Sequence, residues 1–139
     1  MDTHEIEIRV RYNETDSMGF LHHAQYFVYF ELGRTELLRA RGGNYRDVEA
    51  AGLFLVVVQL ECRFRKSARY DELLTLQTTL EKITPAKMHH KYRLYRAGEL
   101  LAEAQSVLAC VDRQGSIQRL PEDGDLPAWL ARRAAAPPA

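Results

Sequence analysis

The chain has 139 residues, a mass of 16.0 kDa and no formal net charge, nineteen Lys and Arg balancing nineteen Asp and Glu. That length suits one domain, and 46% apolar with 27% charged residues is ordinary for a soluble globular protein. The composition excludes disorder over most of the chain as well as collagen-like and coiled-coil designs, and the charge balance argues against a dedicated nucleic-acid binder, which would carry a basic excess.

The N-terminus has no basic stretch followed by an apolar run, so no signal peptide is expected. Ile6, Ile8, Val10 and Tyr12 alternate with Glu5, Glu7, Arg9 and Arg11, the pattern of a half-buried strand. A polar loop, residues 13–19, follows and ends on Gly19. Over residues 23–41, Tyr26, Phe30, Gly33, Leu37 and Ala40 recur at three- and four-residue spacing, which predicts a helix of about five turns. Gly42-Gly43 stops it. Residues 45–51 suit a short second helix before Gly52. Glu31 and Arg34, three apart on the long helix, are expected to pair with each other.

Four strands are expected next. Val56, Val58, Leu60, Cys62 and Phe64 alternate with Gln59, Glu61, Arg63 and Arg65. Leu74, Leu76, Thr78 and Leu80 alternate with Thr75, Gln77, Thr79 and Glu81. Residues 88–96 mix aromatic, His and basic side chains. After Ala97-Gly98, residues 100–111 are apolar or small on both faces and read as a central strand. Pro127 marks the start of a short terminal helix carrying Trp129 and Leu130, and residues 134–139 read as a disordered tail beyond a single domain spanning 1–133. Short connections make consecutive strands antiparallel, so the fold class is α+β, one antiparallel sheet of about five strands with the long helix on one face.

Two cysteines, Cys62 and Cys110, lie in apolar stretches and read as reduced, structural thiols, which points to a cytoplasmic location. The longest apolar run, residues 53–58, is too short to span a bilayer. Histidines occur as the adjacent pairs His22-His23 and His89-His90; the second pair does not suit a metal, since neighbours on a strand point to opposite faces, and no metal site is expected. Between Cys62 and Arg96, nine basic residues face three acidic ones, an excess that suits either a solvated strand face or a small polyanion.

Asp16 stands in the loop that leads into the long helix. The first turn of a helix leaves N–H groups unpaired, with partial positive charge. A carboxylate beside such donors suits acyl transfer: the donors polarise a carbonyl, and the carboxylate attacks it or activates water. From spacing alone Asp16 fits a turn or cap residue better.

Residues 12–19, Tyr-Asn-Glu-Thr-Asp-Ser-Met-Gly, are followed by His23-Ala24-Gln25-Tyr26-Phe27 and by Phe30-Glu31-Leu32-Gly33-Arg34. Together they resemble the signature of the 4-hydroxybenzoyl-CoA thioesterase family, and within it the branch of acyl-CoA thioesterases found with the Tol-Pal cluster. The resemblance implies a hotdog fold, a five-stranded antiparallel sheet wrapped around one long helix. It implies a homodimer or homotetramer with active sites at the subunit interface, and hydrolysis of an acyl-CoA with no cofactor beyond the coenzyme A of the substrate. Asp16 matches the catalytic carboxylate, as nucleophile or general base. His23 matches a histidine that contributes a side chain or only its N–H, and Tyr12 an aromatic residue that orients the carboxylate or the substrate. Gly19, Ala24 and Gln25 fall at substrate-binding positions, the helix start at His23 and Ala24 serving the oxyanion. Gln25 replaces the usual asparagine, and Ser17-Met18 replace small residues. With coenzyme A as ligand, Arg65, Lys66 and Lys87 are the candidate phosphate contacts. The alternative is a non-catalytic module that binds acyl-CoA or acyl-carrier protein.

Overall fold

The computed structural model describes residues 2–120. The expected terminal helix and tail lie outside them. The elements in chain order are strand β1 (Asp2–Arg9), a single 3-10 turn (Tyr12–Glu14), helix α1 (His23–Ala40), helix α2 (Tyr45–Ala50), and strands β2 (Phe54–Phe64), β3 (Leu73–Ile83), β4 (Lys87–Arg96) and β5 (Glu99–Val111). All five strands join one antiparallel sheet in the order β1-β3-β4-β5-β2.

The first strand ends sooner than the alternation predicts. Val10 stays buried, but Tyr12 opens the 3-10 turn and is 77% exposed. The connection from β2 to β3 is not a hairpin either. Residues 65–72 carry the chain from one edge of the sheet to the other side, so β2 pairs with β5 and β3 lies between β1 and β4. That connection passes the end of the sheet beside the loop preceding α1, and it builds one wall of the site.

β2 contains a bulge between Val57 and Gln59. Beyond it, Leu60 and Cys62 pair with Ser106 and Ala104. Before it, Leu55 and Val57 pair with the buried Cys110 and Leu108. The extra residue therefore moves Val57, rather than the expected Val58, onto the face shared with Leu60. β2 is an edge strand, and Val56, Val57, Val58, Leu60 and Phe64 all remain substantially exposed.

α1 packs its Tyr26, Tyr29, Phe30 and Leu37 side against the sheet, where Leu74, Leu76, Leu80, Tyr92, Leu94, Leu101 and Leu108 are buried. Phe30 stacks on Tyr92 with ring centroids 4.6 Å apart. Gly33 explains how the backbones come so close: a Cβ there would stand 2.3 Å from Thr78 Oγ1 and 2.8 Å from Leu76 Cδ2. Beneath it lies a small polar island. Arg34 Nη1 donates to Tyr92 Oη at 3.0 Å, and Tyr92 Oη lies 2.6 Å from Ser106 Oγ. Arg34 is buried and makes no ion pair with Glu31, contrary to the expectation from their spacing. Its side chain turns inward to the sheet, whereas Glu31 stays exposed.

Candidate active site at the head of the long helix

The loop between β1 and α1 is closed at its base by backbone hydrogen bonds. His22 N donates to Glu14 O at 2.9 Å, Asp16 N to Phe20 O at 2.8 Å, and Gly19 N to Asp16 O at 3.0 Å. Gly19 has φ +85°, a conformation glycine takes at little cost. The loop is docked on the β2–β3 connection by Leu21 N to Ala68 O at 2.8 Å, and by the Arg69 guanidinium, 4.4 Å above the centre of the Phe20 ring.

Within this loop the Asp16 carboxylate is divided. Oδ1 accepts N–H bonds from Met18 at 2.9 Å and Phe20 at 3.1 Å. Oδ2 has no hydrogen bond among the described residues. The turn role and the chemical role open to Asp16 are thus compatible, because each takes a different oxygen.

The start of α1 is similarly divided. His22 is the N-cap in extended conformation, and its Nδ1 accepts the N–H of Ala24 at 3.1 Å, which fixes the ring proton on Nε2. Gln25 N donates to His22 O at 2.9 Å. The His23 N–H is left without a partner among the described residues, while its ring stacks on His22 with centroids 4.2 Å apart. Of the two amides at the predicted oxyanion position, Ala24 is therefore already capped and His23 is open.

Asp16 and His23 line one cleft with Phe20, Leu21, Tyr26, Phe64, Arg65, Lys66 and Ser67, of about 250 Å³. Gly19 and Ala24 are not among its lining residues. Gln25 is half-buried in the first turn of α1 and does not line the cleft. Nor does Tyr12, whose ring meets Tyr70 edge-on at 5.6 Å. Lys87 is placed far away. It pairs with Ala109, which pairs with Val56, whereas Arg65 follows Phe64 at the opposite end of β2. At about 3.3 Å per residue that is roughly 30 Å along the strand.

Five of the nine basic residues in the stretch are paired with carboxylates across the sheet. Arg65 Nε donates to Glu103 at 2.8 Å and Lys66 Nζ to Glu99 at 2.6 Å. Lys91 pairs with Glu81, Arg93 with Glu103, and Arg96 with Glu72 and Glu99. Arg69 makes no ion pair among the described residues and stands against the loop of Asp16. It is a cation that charge counting did not single out.

Glu14 is the other residue that sequence reasoning missed. It is 3% exposed, and Oε1 accepts from Arg11 N and from Tyr29 Oη, both at 2.7 Å, while Oε2 accepts from Arg11 Nη2 at 3.1 Å. Burial raises its carboxyl pKa, but the Arg11 backbone N–H, the Tyr29 hydroxyl and the Arg11 guanidinium together hold it below the ordinary carboxylate value. Tyr29 is held protonated by its own burial and by Glu14. Among the described residues no three metal-ligating side chains gather, and no helix is long and apolar enough to cross a membrane.

Residues 10–139 match the family described as the thioesterase-like superfamily. The chain belongs to it. The putative acyl-CoA thioesterase YneP of Bacillus subtilis is 39% identical over 109 residues, covering 78% of this chain and 79% of its own length. The acyl-CoA thioester hydrolase YbgC of Escherichia coli O6:H1 is 31% identical over 106 residues, covering 76% and 79%. Among solved structures, a DHNA-CoA thioesterase from Staphylococcus aureus superposes with a TM-score of 0.84 at 31% identity, covering 86% of this chain and 82% of that one. The sheet and helix are accordingly those of a hotdog thioesterase, and the chain is a thioester hydrolase by family.

Proposed function

We propose that the protein hydrolyses acyl-CoA thioesters to the free acid and coenzyme A, with Asp16 at the reacting carbonyl. The observation that carries this is the pairing, in one cleft, of an Asp16 carboxylate with one oxygen fixed and one open, and of the open His23 N–H at the head of α1. The thioester carbonyl oxygen takes the His23 N–H, which strengthens as negative charge develops there. Asp16 Oδ2 either attacks the carbonyl carbon, expelling the coenzyme A thiolate and leaving a mixed anhydride that water opens, or it takes a proton from the water that attacks. Both routes consume one water and release one acid and one thiol. No other cofactor enters the reaction. The His23 side chain is left to shape the cleft beside His22.

The similarity to YneP and YbgC supports acyl-CoA as the substrate class, and the Tyr12-to-Arg34 signature supports the Tol-Pal-cluster branch of the 4-hydroxybenzoyl-CoA thioesterase family. For the coenzyme's phosphates, Arg69 is favoured over Arg65 and Lys66, whose charges are already matched by Glu103 and Glu99. Lys87 reaches such a site only from a second subunit. A homodimer, or a homotetramer built from it, is favoured by the long apolar edge β2, since an exposed edge strand offers both unpaired backbone groups and apolar surface.

The test is release of free thiol from a panel of acyl-CoAs of different length and aromaticity. Hydrolysis of at least one member with catalytic turnover is expected. Tight binding of acyl-CoAs with no thiol released would instead establish a non-catalytic binding module.

A further inference from the structure

Glu14 touches three parts of the molecule at once. Its side chain takes Arg11 N at the exit of β1 and the Tyr29 hydroxyl on the buried face of α1, both at 2.7 Å. Its own carbonyl takes His22 N at 2.9 Å, and its N–H reaches back to Arg11 O at 3.0 Å. His22 is the residue that caps α1. The two groups that the proposed reaction needs lie immediately outside this junction: Asp16 is two residues after Glu14, and His23 is one residue after His22. The Glu14–His22 hydrogen bond is thus the base of the loop, and the Glu14–Tyr29 bond ties that base to the interior of the helix whose N-terminus faces the cleft.

A buried carboxylate is costly unless every oxygen is matched by donors. Here each oxygen has at least one, and the only donor drawn from outside the immediate loop is Tyr29. A local turn would be satisfied by Arg11 alone. The long-range bond adds registration of the loop against α1, through a side chain that bonds neither the Asp16 carboxylate nor the His23 N–H.

The geometry points to Glu14 and Tyr29 as a positioning pair that sets Asp16 against the head of α1, an inference that rests on Asp16 being the reacting carboxylate. Neither residue lines the cleft, so the pair acts on the alignment of the reacting groups and not on contacts with the substrate. A displacement of about 1 Å at a reacting group can cost on the order of a hundredfold in rate. Loss of the tie should therefore appear in kcat with little change in KM.

The test is a set of six proteins assayed by thiol release: wild type, Tyr29→Phe, Asp16→Asn, the double variant of these two, Glu14→Gln and Glu14→Ala. Tyr29→Phe keeps the buried ring and removes only the hydroxyl, and far-UV circular dichroism checks that it is folded at the assay temperature. The expected result is a roughly 10- to 100-fold fall in kcat for Tyr29→Phe at unchanged KM. The double variant is expected to be no slower than Asp16→Asn, because a positioning pair has nothing left to align. Glu14→Gln, which retains an acceptor for Tyr29, should fall less than Glu14→Ala. A folded Tyr29→Phe with wild-type kcat overturns the positioning pair while leaving Asp16 in place. A double variant well below Asp16→Asn also overturns it, since the hydroxyl would then be supporting the fold in general. Wild-type turnover by Asp16→Asn removes the reading on which the pair rests, and the pair with it.

Discussion

Gly33 is where the helix-to-sheet distance is set, and Gly33→Ala tests that most sharply. In an exposed helix the substitution would stabilise by about 1 kcal/mol, because alanine restricts the unfolded chain and favours the helix. Here the new Cβ would meet Thr78 Oγ1 at 2.3 Å and Leu76 Cδ2 at 2.8 Å, both on fully buried side chains of β3. Ordinary carbon contacts are about 3.5–4.0 Å, so α1 must lift by roughly 1 Å or the two side chains must leave their rotamers. Overpacking of this kind costs typically about 1–3 kcal/mol. Approaches of 2.3 and 2.8 Å put the cost in the upper part of that range, so after the helix-propensity gain a net loss of about 1–2 kcal/mol is expected, and a fall in Tm of roughly 3–7 °C for a chain of this size. Urea unfolding followed by circular dichroism reads it as a lower midpoint at unchanged slope. Adding Thr78→Ala removes the nearer obstacle and should recover part of the loss, so the two changes are not additive. A Gly33→Ala protein as stable as wild type, or more so, would refute the close approach of α1 to β3.

Three further outcomes follow from individual side chains. His90 is buried and its pKa is pushed down from 6.5 to about 3 by burial, aided by Arg34 and His89. The unfolded chain therefore binds a proton that the folded one refuses. The shift takes nothing from stability above about pH 6.5, and stability falls as pH drops through the window down to about 3, by about 2 kcal/mol at pH 5; between pH 7 and 5 the urea midpoint of wild type should fall further than that of His90→Phe, and equal shifts would contradict it. Burial raises the Cys62 thiol to about 11 and also raises Cys110, so neither should react appreciably with a thiol reagent in the folded protein near pH 7. Arg69→Ala should raise KM for an acyl-CoA severalfold and leave KM for the matching acyl-pantetheine, which lacks the nucleotide, unchanged; equal effects on both would place Arg69 outside phosphate recognition.

The parts of the fold that are periodic could be read from the sequence. The apolar spacing of Tyr26, Phe30, Gly33 and Leu37 marks the buried side of α1, and Leu74, Leu76, Thr78 and Leu80 mark that of β3. Strand order could not be read, because nothing local distinguishes the residue 65–72 crossover from a hairpin connection. The bulge at Val57–Gln59 has the same cause: a run of three valines alternates equally well in either register. At the site, Asp16 and the helix start were visible through the signature, and the structure brings Asp16, His23, Arg65 and Lys66 to one cleft. The distribution of hydrogen bonds was not visible. That Asp16 Oδ1 serves the turn, that His22 takes the Ala24 amide, and that Glu103 and Glu99 match Arg65 and Lys66 all depend on contacts between segments distant in sequence or on backbone direction. Glu14 gave no signal because one more acidic residue in a polar loop looks solvated until Tyr29 is seen above it.

The central claim is that the open oxygen of Asp16 performs thioester hydrolysis. Asp16→Asn tests it directly, because an asparagine Oδ1 can still accept the Met18 and Phe20 amides and keep the loop closed. The decisive measurement is the turnover of this variant against wild type on the best acyl-CoA of the panel, with circular dichroism and thermal unfolding confirming the fold. A loss of roughly 100- to 10,000-fold in kcat, with a stable folded protein, is the predicted result for removal of a general base or nucleophile. A folded Asp16→Asn protein that releases thiol at the wild-type rate would contradict the account.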